Sequence, residues 1–131
     1  MAGETDIAKL LATMTPELNP GEYVFCTVDK AIDITQPGVI CLFKEKEALT
    51  VVLEKGLADS LNLTYSYVAS WITLTVHSSL EAVGLTAAFS AALAKKGISC
   101  NVIAAYYHDH IFVALQDAEK AMVVLSKMSD N

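Results

Sequence analysis

The segment 60–80 constrains the fold most, because it contains no aspartate, glutamate, lysine or arginine over 21 residues. A run of that length is long enough for a helix that spans a membrane. Its pattern is that of a strand, since Val68, Ile72 and Val76 share one parity and polar residues recur between them. The abundance of β-branched residues supports this interpretation. The sequence therefore predicts a long strand over residues 65–76 and no transmembrane helix.

The residues after this strand predict an alternation of helix and strand. A helix begins after Ser78 and ends at the basic last turn and glycine of 95–97. Strands over 101–107 and 111–115 follow, joined by a turn at His108 and Asp109, and Asp117 is expected to cap a final helix. Strand, helix, hairpin and helix is the order of a ferredoxin-like α+β sandwich, with helices on one face of an antiparallel sheet.

The first half of the chain has a similar but less complete pattern. An amphipathic helix over 5–14 is expected to end at Pro16 and Pro20. Apolar runs then predict three strands and a short helix, over 23–28, 39–43, 49–53 and 55–61. Because no linker rich in proline, glycine or serine separates the halves, we expect them to share or abut antiparallel sheets.

The charge balance excludes two classes of partner. Nine basic residues against fifteen acidic ones give a formal net charge of −6. Such a chain gains nothing from counterion release at nucleic acid, and anionic membrane surfaces repel it. We therefore expect neither nucleic acid nor a membrane as a partner.

The apolar content predicts self-association. Hydrophobic residues make up 53% of the chain, and its mean hydropathy is +0.42. A small domain has a high ratio of surface to volume, so apolar residues that do not fit inside tend to enter subunit interfaces. We expect a homodimer or a higher homo-oligomer.

The cysteines and the N-terminus predict a cytoplasmic protein. Cys26, Cys41 and Cys100 are odd in number and lie among apolar residues, which favours reduced, buried thiols over disulfides. Glu4 and Asp6 stand where a secretory signal would have a basic region.

Several phrases of the sequence resemble the ACT domain. The segment 74–86 has that family's strand followed by a loop with a glycine, and Leu-Ala-Lys-Lys-Gly-Ile at 93–98, followed by an Asn-Val strand, resembles its helix end. Shorter phrases at 23–27, 47–50 and 107–113 are similar to the small bacterial proteins that contain two ACT domains. The regulatory halves of aspartate kinases are also similar.

This resemblance implies two ferredoxin-like βαββαβ units, one over 1–64 with the leading helix and one over 65–131. It also implies that ACT units pair side by side and bind a small ligand, most often an amino acid, at the seam. Two features depart from the family. The connection before Gln36-Pro37-Gly38 is too short for a crossover helix, and Ala48 stands where the family turn has glycine. We therefore expect the first unit to be degenerate.

A ligand site is predicted where the loop after the long strand enters its helix. The first N–H groups of a helix lack intrahelical acceptors and can bind a carboxylate, while Glu81 could hold an ammonium group. Gly84 would allow a ligand to approach the backbone. In the alternative interpretation Ser78 or Ser79 only caps the helix. The predicted ligand-binding residues are Ser78, Ser79, Glu81, Val83, Gly84, Leu85, Asn101, Val102 and Ile103.

No catalytic, metal or cofactor site is predicted. The sequence contains no GxxxxGK, GxGxxG or GxSxG motif. His108-Asp109-His110 is not a complete set of metal ligands, and His77 is more typical of a structural hydrogen bonder. The aromatic residues are expected to cover the sheet; they are Tyr65, Tyr67, Trp71, Tyr106 and Tyr107.

The sequence thus favours a non-catalytic sensor that binds an amino acid and passes its occupancy to an unidentified partner protein. The alternative is a structural oligomerisation module without a ligand. A small enzyme that uses His77 or the region 108–110 is a third, minor hypothesis.

Overall fold

A computed structural model describes residues 6–30, 32–76 and 82–129 of the chain. Its helices and strands alternate as the sequence predicts, with one additional strand near the N-terminus. In chain order they are α1 (Ile7–Thr13), β1 (Thr15–Leu18), β2 (Tyr23–Val28), β3 (Val39–Lys44), β4 (Leu49–Glu54), α2 (Lys55–Ser60), β5 (Val68–Thr75), α3 (Leu85–Lys95), β6 (Asn101–Ala104), β7 (Asp109–Ala114) and α4 (Ala118–Met128). None of these helices combines the length and the apolar character needed to cross a membrane.

The chain divides into two compact units that are not contiguous in sequence. Residues 21–69 form one unit, which we call the central unit. Residues 1–20 and 70–131 together form the other, which we call the carboxyl unit. Each unit has its own hydrophobic core.

The carboxyl unit is a ferredoxin-like sandwich whose last strand comes from the N-terminal segment. Its strand order is β1-β5-β7-β6, and β1 pairs antiparallel with β5. α1 ends at Thr13, before Pro16, and Pro16 then pairs with Leu74 inside β1, a strand that the sequence analysis did not predict. An edge strand tolerates proline, since the missing N–H leaves no partner strand unsatisfied.

The core of the carboxyl unit lies between one face of this sheet and its helices. β5 contributes Ile72 and Leu74, which have the parity that the sequence predicts. Leu10 and Met14 come from the segment of α1. The remaining buried members are Val76, Leu85, Phe89, Leu93, Ile98, Ile111, Val113, Ala121 and Leu125.

The central unit keeps the same strand arrangement without the first helix. Its strands follow the order β3-β4-β2, and β2 then pairs with the start of β5 through Tyr23 and Val24. Val24, Cys26 and Val51 form its core with residues of β4 and α2. The described residues between β2 and β3 contain no helix. The prediction of two ferredoxin-like units is therefore confirmed, and the degenerate character of the first stays a prediction.

The Leu-Ala-Lys-Lys-Gly-Ile motif at 93–98 forms the C-terminal end of α3. Gly97 has a φ of +73°, and its N–H donates to the carbonyl of Ala94 at 2.9 Å. The N–H of Ile98 donates to the carbonyl of Leu93 at 3.0 Å. These two bonds form a Schellman motif, in which a left-handed glycine ends the helix and the flanking apolar residues bury together.

Several boundaries differ from the sequence prediction, and β5 begins at Val68 and not at Tyr65. α3 begins at Leu85 and not near Ser78, because the chain turns at Gly84 with a φ of +101°. The turn between β6 and β7 covers residues 105–108, since Ala104 pairs directly with Asp109. A 3₁₀ turn precedes α4, and the side chain of Asp117 makes no capping hydrogen bond among the described residues.

The prediction that the aromatic residues cover the sheet is wrong for two of them. Tyr106 and Tyr107 lie in the β6–β7 turn, and each is 68% exposed. Their rings meet edge to face, with centroids 5.1 Å apart.

Candidate functional site

The N-terminus of α3 and the strand β6 are the parts of the predicted ligand site that the structure describes. Gly84 occupies the N-cap position, where it has no side chain to accept a hydrogen bond from the helix. Leu85 is buried in the core and fixes the helix start, while Val83 is 83% exposed. The N-cap is thus neither Ser78 nor Ser79; both serines and Glu81, like His77, lie outside the described residues.

The conformation of Gly84, and not its packing, requires glycine. A Cβ atom at this position would lie 3.6 Å from the side chain of Ile7, which is an ordinary contact. Its φ of +101° is a region that side-chain-bearing L-residues rarely adopt. Substitution here strains the backbone, so a Gly84 variant cannot report on ligand crowding separately from folding.

The strand β6 presents its predicted site residues to two different faces. Asn101 pairs with Phe112 and Ile103 pairs with His110, so these side chains share one face of the sheet. Val102 has the opposite parity and packs against the helix-covered core. β7 lies between β5 and β6, which places β6 roughly 10 Å from the strand that leads into the Gly84 loop. The contribution of Asn101, Val102 and Ile103 to a ligand site stays a prediction.

A polar cluster that sequence reasoning missed lies on the sheet face away from the core of the carboxyl unit. The indole N–H of Trp71 donates to Nδ1 of His110 at 3.0 Å, and the hydroxyl of Thr73 lies 3.1 Å from the same nitrogen. Asn19, just after β1, donates through Nδ2 to Thr73 Oγ1 at 2.9 Å. The alternation along β5 places Trp71 and Thr73 on this face, but their partners come from strands distant in sequence.

This cluster selects the tautomer of the neutral His110 ring. Because Nδ1 accepts a hydrogen bond from Trp71, the proton of the neutral ring belongs on Nε2. A second proton, on Nδ1, would place an N–H donor against the indole N–H donor of Trp71. Burial of the ring and the neighbouring His108 lower the pKa of His110, and Asp109 opposes them. Burial in turn raises the pKa of Asp109.

The stability of the protein is therefore expected to fall as the pH decreases below about 6.5, the ordinary pKa of histidine. In that range the unfolded chain binds a proton at His110 before the folded chain does, which favours unfolding. The raised pKa of Asp109 has the opposite effect, but only in the more acidic range where carboxyl groups titrate. Urea unfolding between pH 5 and 8 measures the dependence.

The variant His110→Gln is the control for this prediction, since glutamine does not titrate. Its stability is expected to vary less with pH between 5 and 7 than that of the unmodified chain. Equal pH profiles for the two proteins would contradict the assignment to His110.

The cysteines are free thiols, and only Cys26 is fully buried. Burial raises the pKa of all three and brings that of Cys100 to about 11. Neutral thiols are weak nucleophiles. No group of three metal-ligating side chains occurs among residues 6–30, 32–76 and 82–129.

The central unit contains a shallow pocket of about 500 Å³. It opens where β2 stops pairing with β5, beyond Val24. Hydroxyl groups of Thr27, Thr50 and Ser66 give it a polar lining. No motif of the sequence marks this pocket, since the lining comes from three separate segments.

Two family models match the chain. Both describe the ACT domain, one over residues 2–70 and the other over residues 66–127. No curated protein matches the sequence significantly.

Solved structures also match the chain over most of its length. A Vibrio cholerae protein of unknown function, VC0802, described as a possible transport protein, is 51% identical over 95% of this chain and 97% of its own, with a TM-score of 0.85. Atu0741 from Agrobacterium tumefaciens is 17% identical over 88% of this chain and 89% of its own, with a TM-score of 0.72.

The fold also occurs in the regulatory subunit of aspartate kinase from Thermus thermophilus. That protein is 10% identical over 90% of this chain and 97% of its own, with a TM-score of 0.64. The first family model covers more than half of the chain. The chain belongs to the ACT domain family, with two ACT domains in tandem.

Proposed function

We propose that this chain is a non-catalytic regulatory module of the cytoplasm, which binds an amino acid at the N-terminus of α3. Membership of the ACT family and the fold shared with aspartate kinase regulatory subunits support a regulatory module. The observation that carries the ligand proposal is the left-handed glycine at the N-cap of α3.

This helix start suits the carboxylate of an amino acid. The backbone N–H groups of Leu85, Thr86 and Ala87 have no acceptor within the helix, and Gly84 supplies no capping oxygen. A carboxylate at this end would accept hydrogen bonds from those N–H groups. The helix dipole would also favour its negative charge. Thr86 and Ala87 are exposed, so a ligand can reach them. The predicted loop residues Ser78, Ser79 and Glu81 would complete the site around the ammonium group.

We further propose that the chain forms a homodimer or a higher homo-oligomer through the edge of its sheet. In the strand order of the carboxyl unit, β6 is an end strand that pairs with β7 on one side only. Unpaired N–H and C=O groups on such an edge favour pairing with a second copy. The alternative function, a structural oligomerisation module without a ligand, would need only this edge.

A thermal-shift screen with the twenty amino acids distinguishes the two functions. A ligand that binds only the folded chain at one hundred times its Kd stabilises by about 2.7 kcal/mol, which raises the Tm of such a domain by several degrees. Sedimentation of the same samples reports whether occupancy changes the oligomer. If no amino acid at millimolar concentration raises the Tm, the structural module is the better interpretation.

The variant Ala87→Glu locates the site without damage to the fold. A carboxylate in the first turn stabilises a helix, so the Tm of the free protein should stay the same or rise. The same carboxylate competes with that of the ligand, so the ligand-induced shift should shrink. Ala91→Glu, one turn later on the exposed surface of α3, is the matched control and should retain the full shift. Equal shifts in both variants would place the ligand elsewhere.

A further inference from the structure

A groove between α3 and α4 collects four of the nine lysines of this acidic chain. It has a volume of about 430 Å³ and belongs entirely to the carboxyl unit. The residues that line it are Ala92, Lys95, Lys96, Lys120, Val123, Val124 and Lys127. The chain as a whole carries fifteen acidic residues and a net charge of −6, so this concentration of positive charge runs against its composition.

The groove has an apolar floor between charged ends. On α4 the lining residues recur at i, i+3, i+4 and i+7, with lysines at the two ends of the stripe and valines in the middle. Lys120 and Lys127 are therefore roughly 10 Å apart along the helix axis. Val123 is 54% exposed, which leaves apolar surface in contact with water. On α3, Ala92 continues the floor.

Three of the four groove lysines have no acidic partner among the described residues. No aspartate or glutamate is among the described lining residues, and Glu119 lies next to Lys120 in sequence without lining the groove. Lys95, Lys96 and Lys120 take part in no ion pair among the described residues. The mutual repulsion of like charges makes an anionic partner favourable here.

We propose that this groove docks an acidic amphipathic helix of a partner protein. The partner helix would carry carboxylates at i and i+7 and large apolar residues at i+3 and i+4. This is the spacing of the lining residues on α4, with negative charges in place of positive ones. Its apolar pair would cover Val123 and Val124, and its carboxylates would meet the lysines at the two ends. Helix-in-groove recognition uses this combination of an apolar seam with flanking charges.

Two other anionic partners fit the groove less well. A flat lipid surface would make few contacts with a concave site whose charges span only roughly 10 Å. No described lining residue is aromatic, so bases of a single strand would have nothing to stack on. The proposal is independent of ligand binding at the N-terminus of α3, since none of the lining residues belongs to that site.

The test uses the full chain and a labelled, helix-stabilised peptide with glutamates at i and i+7 and leucines at i+3 and i+4. Fluorescence anisotropy should show saturable binding that weakens with added salt. The double variant Lys95→Glu with Lys120→Glu should raise the Kd tenfold or more, and Val123→Asp should also raise it. Lys46→Glu, an exposed charge reversal in the β3–β4 turn of the central unit, is the control and should leave the Kd unchanged.

All the altered side chains on α3 and α4 are at the surface, and circular dichroism confirms that each variant is folded before it is titrated. A peptide with lysine in place of both glutamates should not bind. The proposal is overturned if both peptides bind equally, if neither binds at 1 mM, or if the lysine variants keep the affinity of the unmodified chain. Tighter binding of phosphatidylglycerol vesicles or oligo-dT than of the acidic peptide, with the same lysine dependence, would overturn it in favour of a membrane or a nucleic acid.

Discussion

Replacement of Phe89 by alanine is expected to lower the free energy of unfolding by about 3–5 kcal/mol. Phe89 lies on α3 and is among the largest fully buried side chains of the protein. It packs in the core cluster that α3 shares with β5, β7 and α4. The loss combines the transfer free energy of the ring with the cavity that remains, because a close-packed core relaxes only in part.

Phe43→Ala is the matched control. Phe43 lies on β3 and is 71% exposed, so its removal leaves no cavity and should cost less than about 1 kcal/mol. Urea unfolding, monitored by circular dichroism, measures both values. Similar losses for the two variants would mean that the core does not depend on Phe89 as the structure indicates.

The buried face of β5 and the inner face of α3 were predictable from the sequence. Ile72, Leu74 and Val76 share the parity that the alternation of the segment indicates, and all three are buried. Phe89 and Leu93 likewise follow the helical period. These signals are local, because a half-buried element repeats its apolar residues with its own geometry.

The origin of the last strand of the carboxyl unit was not predictable. Pro16 and Pro20 are local signals for a loop, and a strand of four residues has little periodicity to detect. The pairing of Thr15 with Thr75 joins positions sixty residues apart. This segment forms a strand because the tertiary fold places the edge of β5 beside it for pairing.

The candidate site was predictable only in part. The glycine loop and the helix that follows it are recognisable, but the amphipathic pattern continues before Gly84, so the pattern gives no signal that α3 begins only at Leu85. Glycine permits the φ of +101° at Gly84, but a glycine in the sequence does not by itself predict that conformation. The cluster around His110 needs β1, β5 and β7 side by side, and no spacing in the sequence encodes this arrangement.

A fragment of residues 65–131 is expected to be largely unfolded by itself. It lacks Leu10 and Met14, which are buried in the core of the carboxyl unit, and it lacks β1. The two side chains contribute about 1.5–3 kcal/mol each, and the loss of β1 leaves one side of β5 without its partner. The sum approaches the roughly 5–15 kcal/mol by which domains are stable.

Restoration of the N-terminal segment should restore the fold. A chain that begins at residue 70, continues to 129 and then carries residues 6–20 after a flexible linker of about twelve Gly and Ser residues contains every described part of the carboxyl unit. It should give a dispersed ¹H–¹⁵N spectrum and a cooperative unfolding transition, whereas 65–131 should give neither. The same permuted chain with Leu10→Asp and Met14→Asp controls for the added length and should remain unfolded. A folded 65–131 fragment would show instead that the boundary proposed at residues 64 and 65 separates two self-sufficient units, and that α1 and β1 are accessory to the second.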